Sequence, residues 1–86
     1  MANHTDAIKR NRQSEERRER NRHFRSRMRN QIKKLRAAID AGDKDTAQSE
    51  FRAATSIIQR LATKGVMHRN QAARRVKRLH KAVAAL

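Results

Sequence analysis

Eighty-six residues can hold one domain with a modest core at most, and the lack of Cys excludes a disulfide framework and a thiolate metal site. Charged residues make up 36% of the chain, against about 25% in an ordinary globular domain. The 23 basic and 8 acidic residues leave a formal charge of +15, which opposes a compact state by self-repulsion and calls for an anionic partner.

The opening MANHTDAIKR has no apolar core of the kind a signal peptide needs, so a cytoplasmic protein is expected. Met1 to Asp6 is expected to be irregular, with Thr5 or Asp6, or failing them Asn3, capping a first helix that starts near residue 6. From Lys9 to Arg36 the chain carries thirteen Lys or Arg, three Glu, no Gly and no Pro, a composition that favours one unbroken helix.

That helix has two unlike halves. Between Ile8 and Phe24 there is no apolar residue; beyond, Phe24, Met28, Ile32, Leu35 and Ile39 follow the spacing of one helix face. The second half can pack on a protein core. The first half has nothing to pack with and must meet a polyanion or stay in solvent. Glu16 with Arg20, Glu15 with Arg18 and Glu19 with Arg22 stand at helix-supporting spacings, each worth about 0.2–0.5 kcal/mol. They dilute repulsion without cancelling it, so this half is expected to fray when no partner is bound.

Ala41-Gly42-Asp43 punctuates the chain, Gly42 suiting the left-handed residue after a helix and Asp43 the cap of the next. A second stripe follows at Ala47, Phe51, Ala54, Ile58 and Leu61, widened by Ile57, and Lys64-Gly65 ends it. Val66 and Met67 form a short apolar bridge, His68 or Asn70 opens a third helix, and its stripe is Ala72, Val76, Leu79, Val83 and Leu86. No segment alternates with period two, so strands are not expected. The fold class is all-α: an antiparallel three-helix bundle in a single domain, residues 1–86, with helices at about 6–40, 43–64 and 68–85. The first helix outruns the second by about 20 Å at 1.5 Å per residue, and so overhangs the bundle.

Chemistry-bearing clusters are sparse. His4, His23, His68 and His80 are not paired at metal spacing, Ser14, Ser26, Ser49 and Ser56 lack a His–acid setting, and no acid follows Glu50. Neither a metal, a cofactor nor acid–base catalysis is supported, and an enzyme is not expected. The histidines other than His80 fit either a solvated surface or phosphate contact. Phe24 and Phe51, the only aromatics, fall on core stripes, so base stacking on unpaired nucleotides lacks its tools. Tools for holding phosphates abound. Arg outnumbers Lys sixteen to seven, and guanidinium groups fork phosphate oxygens. Duplex RNA is recognised by shape, phosphate and 2′-hydroxyl contacts, which suit Lys9, Arg10, Arg12, Ser14, Arg17, Arg18, Arg20, Asn21, Arg22, Arg25, Ser26, Arg27, Arg29 and Lys33 of the first helix. The third helix adds Arg69, Arg74, Arg75, Lys77, Arg78 and Lys81. The alternative is a solvated helix face, but residues 51–86 hold nine bases and no acids, so a second binding face is expected.

The runs RQSEERRERNRHFRSRMR, IKKLRAAIDAGD and KGVMHRNQAARRVKRL, with the opening MAN, resemble in order the segments of the bacterial small-subunit ribosomal protein S-twenty family. The resemblance covers nearly the whole chain, residues 46–62 matching mainly in pattern. It implies a non-enzymatic, monomeric protein of the small ribosomal subunit that binds small-subunit rRNA directly and holds the 5′ domain against the 3′ minor domain. It further implies a main contact from Lys9 through Arg29 and a second from Lys64, His68, Arg69, Asn70, Arg74 and Arg75. The alternative from residues alone is a DNA-binding basic helix, against which stands the lack of a long dimer zipper after the basic stretch. A membrane-surface helix is weaker, since the basic half has no apolar face to insert.

Overall fold

The computed structural model describes the backbone of residues 2–86 and the side chains of residues 5–86. It contains three helices, α1 (Ala2–Asp40), α2 (Lys44–Thr63) and α3 (Arg69–Ala84), and no strand among the described residues. The helices form an antiparallel bundle in which α2 is central, packed closely against both neighbours, while α1 and α3 approach each other at few points.

α1 begins at Ala2, not near residue 6, so Thr5 and Asp6 lie inside the helix and do not cap it. No Gly or Pro stands before Gly42, and Thr and Asp cost a helix interior only a fraction of a kcal/mol, so nothing halts the helix at the expected cap. Asn3, the third cap candidate, has its side chain outside the described residues. The result is a helix of 39 residues, about 58 Å at 1.5 Å per residue, running nearly the full 62 Å of a molecule only 20 × 14 Å in section.

The α1–α2 link is closed from both sides. Gly42 adopts φ +68, and the N–H groups of Gly42 and Asp43 donate to the Ile39 and Ala38 carbonyls at 3.0 and 3.1 Å, satisfying the last turn of α1. The Asp43 carboxylate then accepts from the Thr46 hydroxyl at 2.6 Å and from the Thr46 N–H at 3.2 Å. These two hydrogen bonds, the hydroxyl's first, hold the Asp43 carboxyl below its ordinary value of 3.8. A Cβ on Gly42 would meet nothing within 4 Å, so the cost of a side chain there is backbone strain alone. Gly42→Ala is expected to lower unfolding stability by about 1–2 kcal/mol in a urea titration, and Gly42→Asn by less. His68 caps α3 in turn, its Nδ1 accepting from the Asn70 N–H at 3.1 Å.

Leu35, Ile58 and Leu61 are fully buried; Met28 and Ala38 of α1, Ala47 and Ala54 of α2, Ala72, Leu79 and Val83 of α3, and the link residues Val66 and Met67 complete the core. Phe24, Ile32, Ile39, Phe51, Ile57 and Val76, expected in the same stripes, are only partly buried. Leu86 lies beyond α3 and is 38% exposed. Ile32 borders a groove between α1 and α3, Phe51 and Val76 a trough between α2 and α3, and Ile57 the seam between α1 and α2.

Two polar straps cross α1. Gln31 Nε2 donates to the Glu50 carbonyl at 3.1 Å and also meets the Glu50 carboxylate. Arg25 Nη2 donates to the Val66 carbonyl at 3.3 Å. Before them the helix leaves the bundle. Residues 5–20 are exposed without exception, Asn21 is the first half-buried residue and Met28 the first buried one. About 28 Å of α1 thus projects, at 1.5 Å per residue over residues 2–20, longer than the expected overhang because the helix starts earlier.

Candidate nucleic-acid interface

The projecting rod inherits its faces from the packed half of the same helix. Leu35 and Met28 mark the buried line of α1, and seven-residue steps continue it to Asn21 and Ser14; the line through Phe24 continues to Arg17 and Arg10. Where the bundle would present apolar side chains to α2, the overhang therefore presents an amide, a hydroxyl and guanidinium groups. Ser14, Arg17, Arg18, Asn21, Arg22, Arg25, Ser26 and Arg29 border one continuous concave strip that runs from the rod onto the bundle's shoulder. Lys9, Arg10, Arg12 and Arg20 are exposed on the rod, and Arg27 and Lys33 on the packed half. At the neck, the Asn21 Oδ1 is shielded and has no hydrogen-bond partner.

Some expected contacts have structural partners as well. Arg25 straps α1 to the Val66 carbonyl. The Lys64 ammonium lies 4.7 Å from the centre of the Phe24 ring, a cation–π contact. His23 meets the same ring edge-on at 5.9 Å. His68 spends its Nδ1 lone pair on the α3 cap, which the neutral imidazole alone supplies. Arg69 and Asn70 are exposed on the first turn of α3.

The basic residues of α3 do not share one surface. Arg74, Arg75 and Arg78 line the groove between α3 and α1, where Arg36 joins them. Arg69, Lys77 and His80 border a different trough, between α3 and α2, with Phe51, Ala72, Ala73 and Val76 in its walls. His80 packs on Phe51 there, ring centres 5.7 Å apart. A third basic seam joins Arg27 and Lys34 of α1 to Arg60 of α2. Sequence reasoning left out Arg36, Lys34 and Arg60. Arg36 had a legible signal, since Arg22, Arg29 and Arg36 repeat every seven residues; its α3 partners did not.

Among the described residues no three His, Cys, Asp or Glu stand where they could hold a metal ion, and no helix is long and apolar enough to cross a membrane. The arrangement offers cationic forks, amides and hydroxyls on helices, a set suited to phosphate and ribose contact.

Comparison with known proteins finds relatives over nearly the whole chain. Residues 2–84 match the family described as ribosomal protein S20. The chain is 48% identical over 86 residues to the small ribosomal subunit protein bS20 of Sulfurimonas denitrificans, covering 100% of both. It is 51% identical over 86 residues to that of Colwellia psychrerythraea, again with 100% of both covered. With the Desulfovibrio desulfuricans protein of that name the identity is 52% over 83 residues, 96% of this chain and 93% of the relative.

Proposed function

This chain belongs to the ribosomal protein S20 family, and from that premise we propose that it is a structural component of the small ribosomal subunit in the cytoplasm, binding small-subunit rRNA directly. The observation that carries the reading is the rod: residues 5–20 wholly exposed, with seven basic side chains from Lys9 to Arg22 against Glu15, Glu16 and Glu19. A protein has no use for such a rod against its own bundle. Laid along RNA, it replaces counterions and bridges backbone segments that would otherwise repel each other.

The mechanism is charge neutralisation on a straight scaffold. Lys9 through Arg29 hold one RNA segment; the α3 side, with Arg69, Asn70, Arg74, Arg75 and Arg78, holds another. By family resemblance the two segments belong to the 5′ domain and the 3′ minor domain, and the protein acts as a monomer within the subunit. Chemical footprinting of small-subunit rRNA with and without the protein tests this, with protection expected in both domains. The rod and α3 together offer enough cations for six to ten phosphate contacts, so affinity is expected to fall about 10³–10⁵-fold between 50 and 200 mM salt. A flat salt dependence would overturn the mechanism, and equal competition by duplex DNA would favour the DNA-binding alternative.

A further inference from the structure

α1 and α3 meet at few points, whereas α2 packs closely against both. A groove of about 260 Å³ runs between α1 and α3, with Ile32 and Leu79 as apolar floor and Arg36, Arg74, Arg75 and Arg78 on its walls. No carboxylate lines it, and no acid follows Glu50 in the sequence to supply one from α3. Arg36, Arg74 and Arg78 are exposed and Arg75 is half-buried, so their mutual repulsion is felt most at low salt. One donor is stranded: Arg75 Nε is shielded from solvent and has no hydrogen-bond partner. A shielded donor without an acceptor is costly, and evolution of a bundle for its own sake would place a Glu or a Leu here.

We infer that this groove is a phosphodiester site, and that the backbone of an RNA strand entering between α1 and α3 fills it. Arg36 and Arg75 approach from opposite helices, so a phosphate between them turns mutual repulsion into two charge-assisted forks. The apolar floor lowers the local dielectric and strengthens both. The inference rests on the rRNA reading above and adds Arg36 and a consequence: the RNA becomes part of the bundle's own packing, so binding stiffens the fold as well as docking it.

That consequence has a signature ordinary surface contacts lack. The triple variant R36Q/R75Q/R78Q should melt higher than the native chain at low salt, because repulsion is relieved, and yet bind small-subunit rRNA at least about tenfold more weakly. Its log–log salt slope should be shallower by about two to three. The matched overhang variant R10Q/R12Q/R17Q should melt as native while losing affinity. R36K/R75K/R78K, which keeps the charges and loses the forks, should melt as native and bind with intermediate affinity. Methyl resonances of Ile32 and Leu79 in the full chain should shift on addition of a short RNA duplex, with those of R36Q/R75Q/R78Q unmoved.

A groove variant that melts at or below native, or that binds rRNA with native affinity and slope, overturns the inference. Should the overhang variant lose rRNA and the groove variant keep it, this site fails and the family reading stands; should neither lose it, both fail. Tripolyphosphate serves to separate the sources. If it shifts Ile32 and Leu79 while rRNA affinity of the groove variant stays native, the groove takes free polyphosphate and the assignment to RNA backbone is wrong.

Discussion

Changing Arg17, Arg18, Arg20 and Arg22 together to Ala is expected to weaken binding to small-subunit rRNA roughly a thousandfold at low salt, taking about 1 kcal/mol for each lost phosphate contact. All four residues lie in the exposed stretch before the first half-buried residue, Asn21, or directly beside it. None is named in the core or in the straps at Arg25 and Gln31. Ala is also the strongest helix former, so the variant rod stays helical, and a loss of affinity cannot be charged to a lost helix. Thermal unfolding followed by circular dichroism should match the native chain. Filter binding across a salt series supplies the affinity and should show a slope shallower by about three to four. Unchanged rRNA protection in this variant would move the main contact from the rod to α3.

Leu35→Ala has the opposite profile. Leu35 has 0% exposure and faces the centre of the core, where Ile58 and Leu61 are equally enclosed. Removing its three outer carbons leaves a cavity that the rigid helices cannot fill, at a cost of about 2–5 kcal/mol. A domain of this size has only about 5 kcal/mol or little more to lose, and here residues 5–20 are exposed and contribute nothing to the core. Half or more of the stability is therefore expected to disappear, read as a fall in the urea midpoint. Ile32→Ala, at the α1–α3 groove, should cost clearly less, because part of its surface is already wet. Equal losses for the two would mean that the α1–α3 seam is closed in the free protein, and would count against the groove described above.

Both expectations reach back to the same stretch of chain, whose two halves were legible before any coordinates. The apolar spacing from Phe24 to Ile39 marks where α1 packs, and its absence before Phe24 marks where packing stops. The link residues were equally plain: Gly42 takes its positive φ and Asp43 its cap. His68 caps α3 as one of two candidates. The start of α1 was misplaced because cap residues were weighed as stop signs, when Thr5 and Asp6 are weak obstacles to a helix already extended on both sides. Ile32 and Val76 were placed in the core by periodicity, which fixes the face a residue occupies but not how tightly the opposite helix covers it.

Sequence by itself determined three helices, their order and the polar, cationic rod, because each depends on which residues follow one another along a single helix. Tertiary structure alone decided that α2 stands between the others, that Arg74, Arg75 and Arg78 face Arg36 while Arg69 and Lys77 face Phe51, and that α1 and α3 meet at few points. Those facts depend on which faces of different helices meet, and helical periodicity is blind to the angle at which a neighbour arrives.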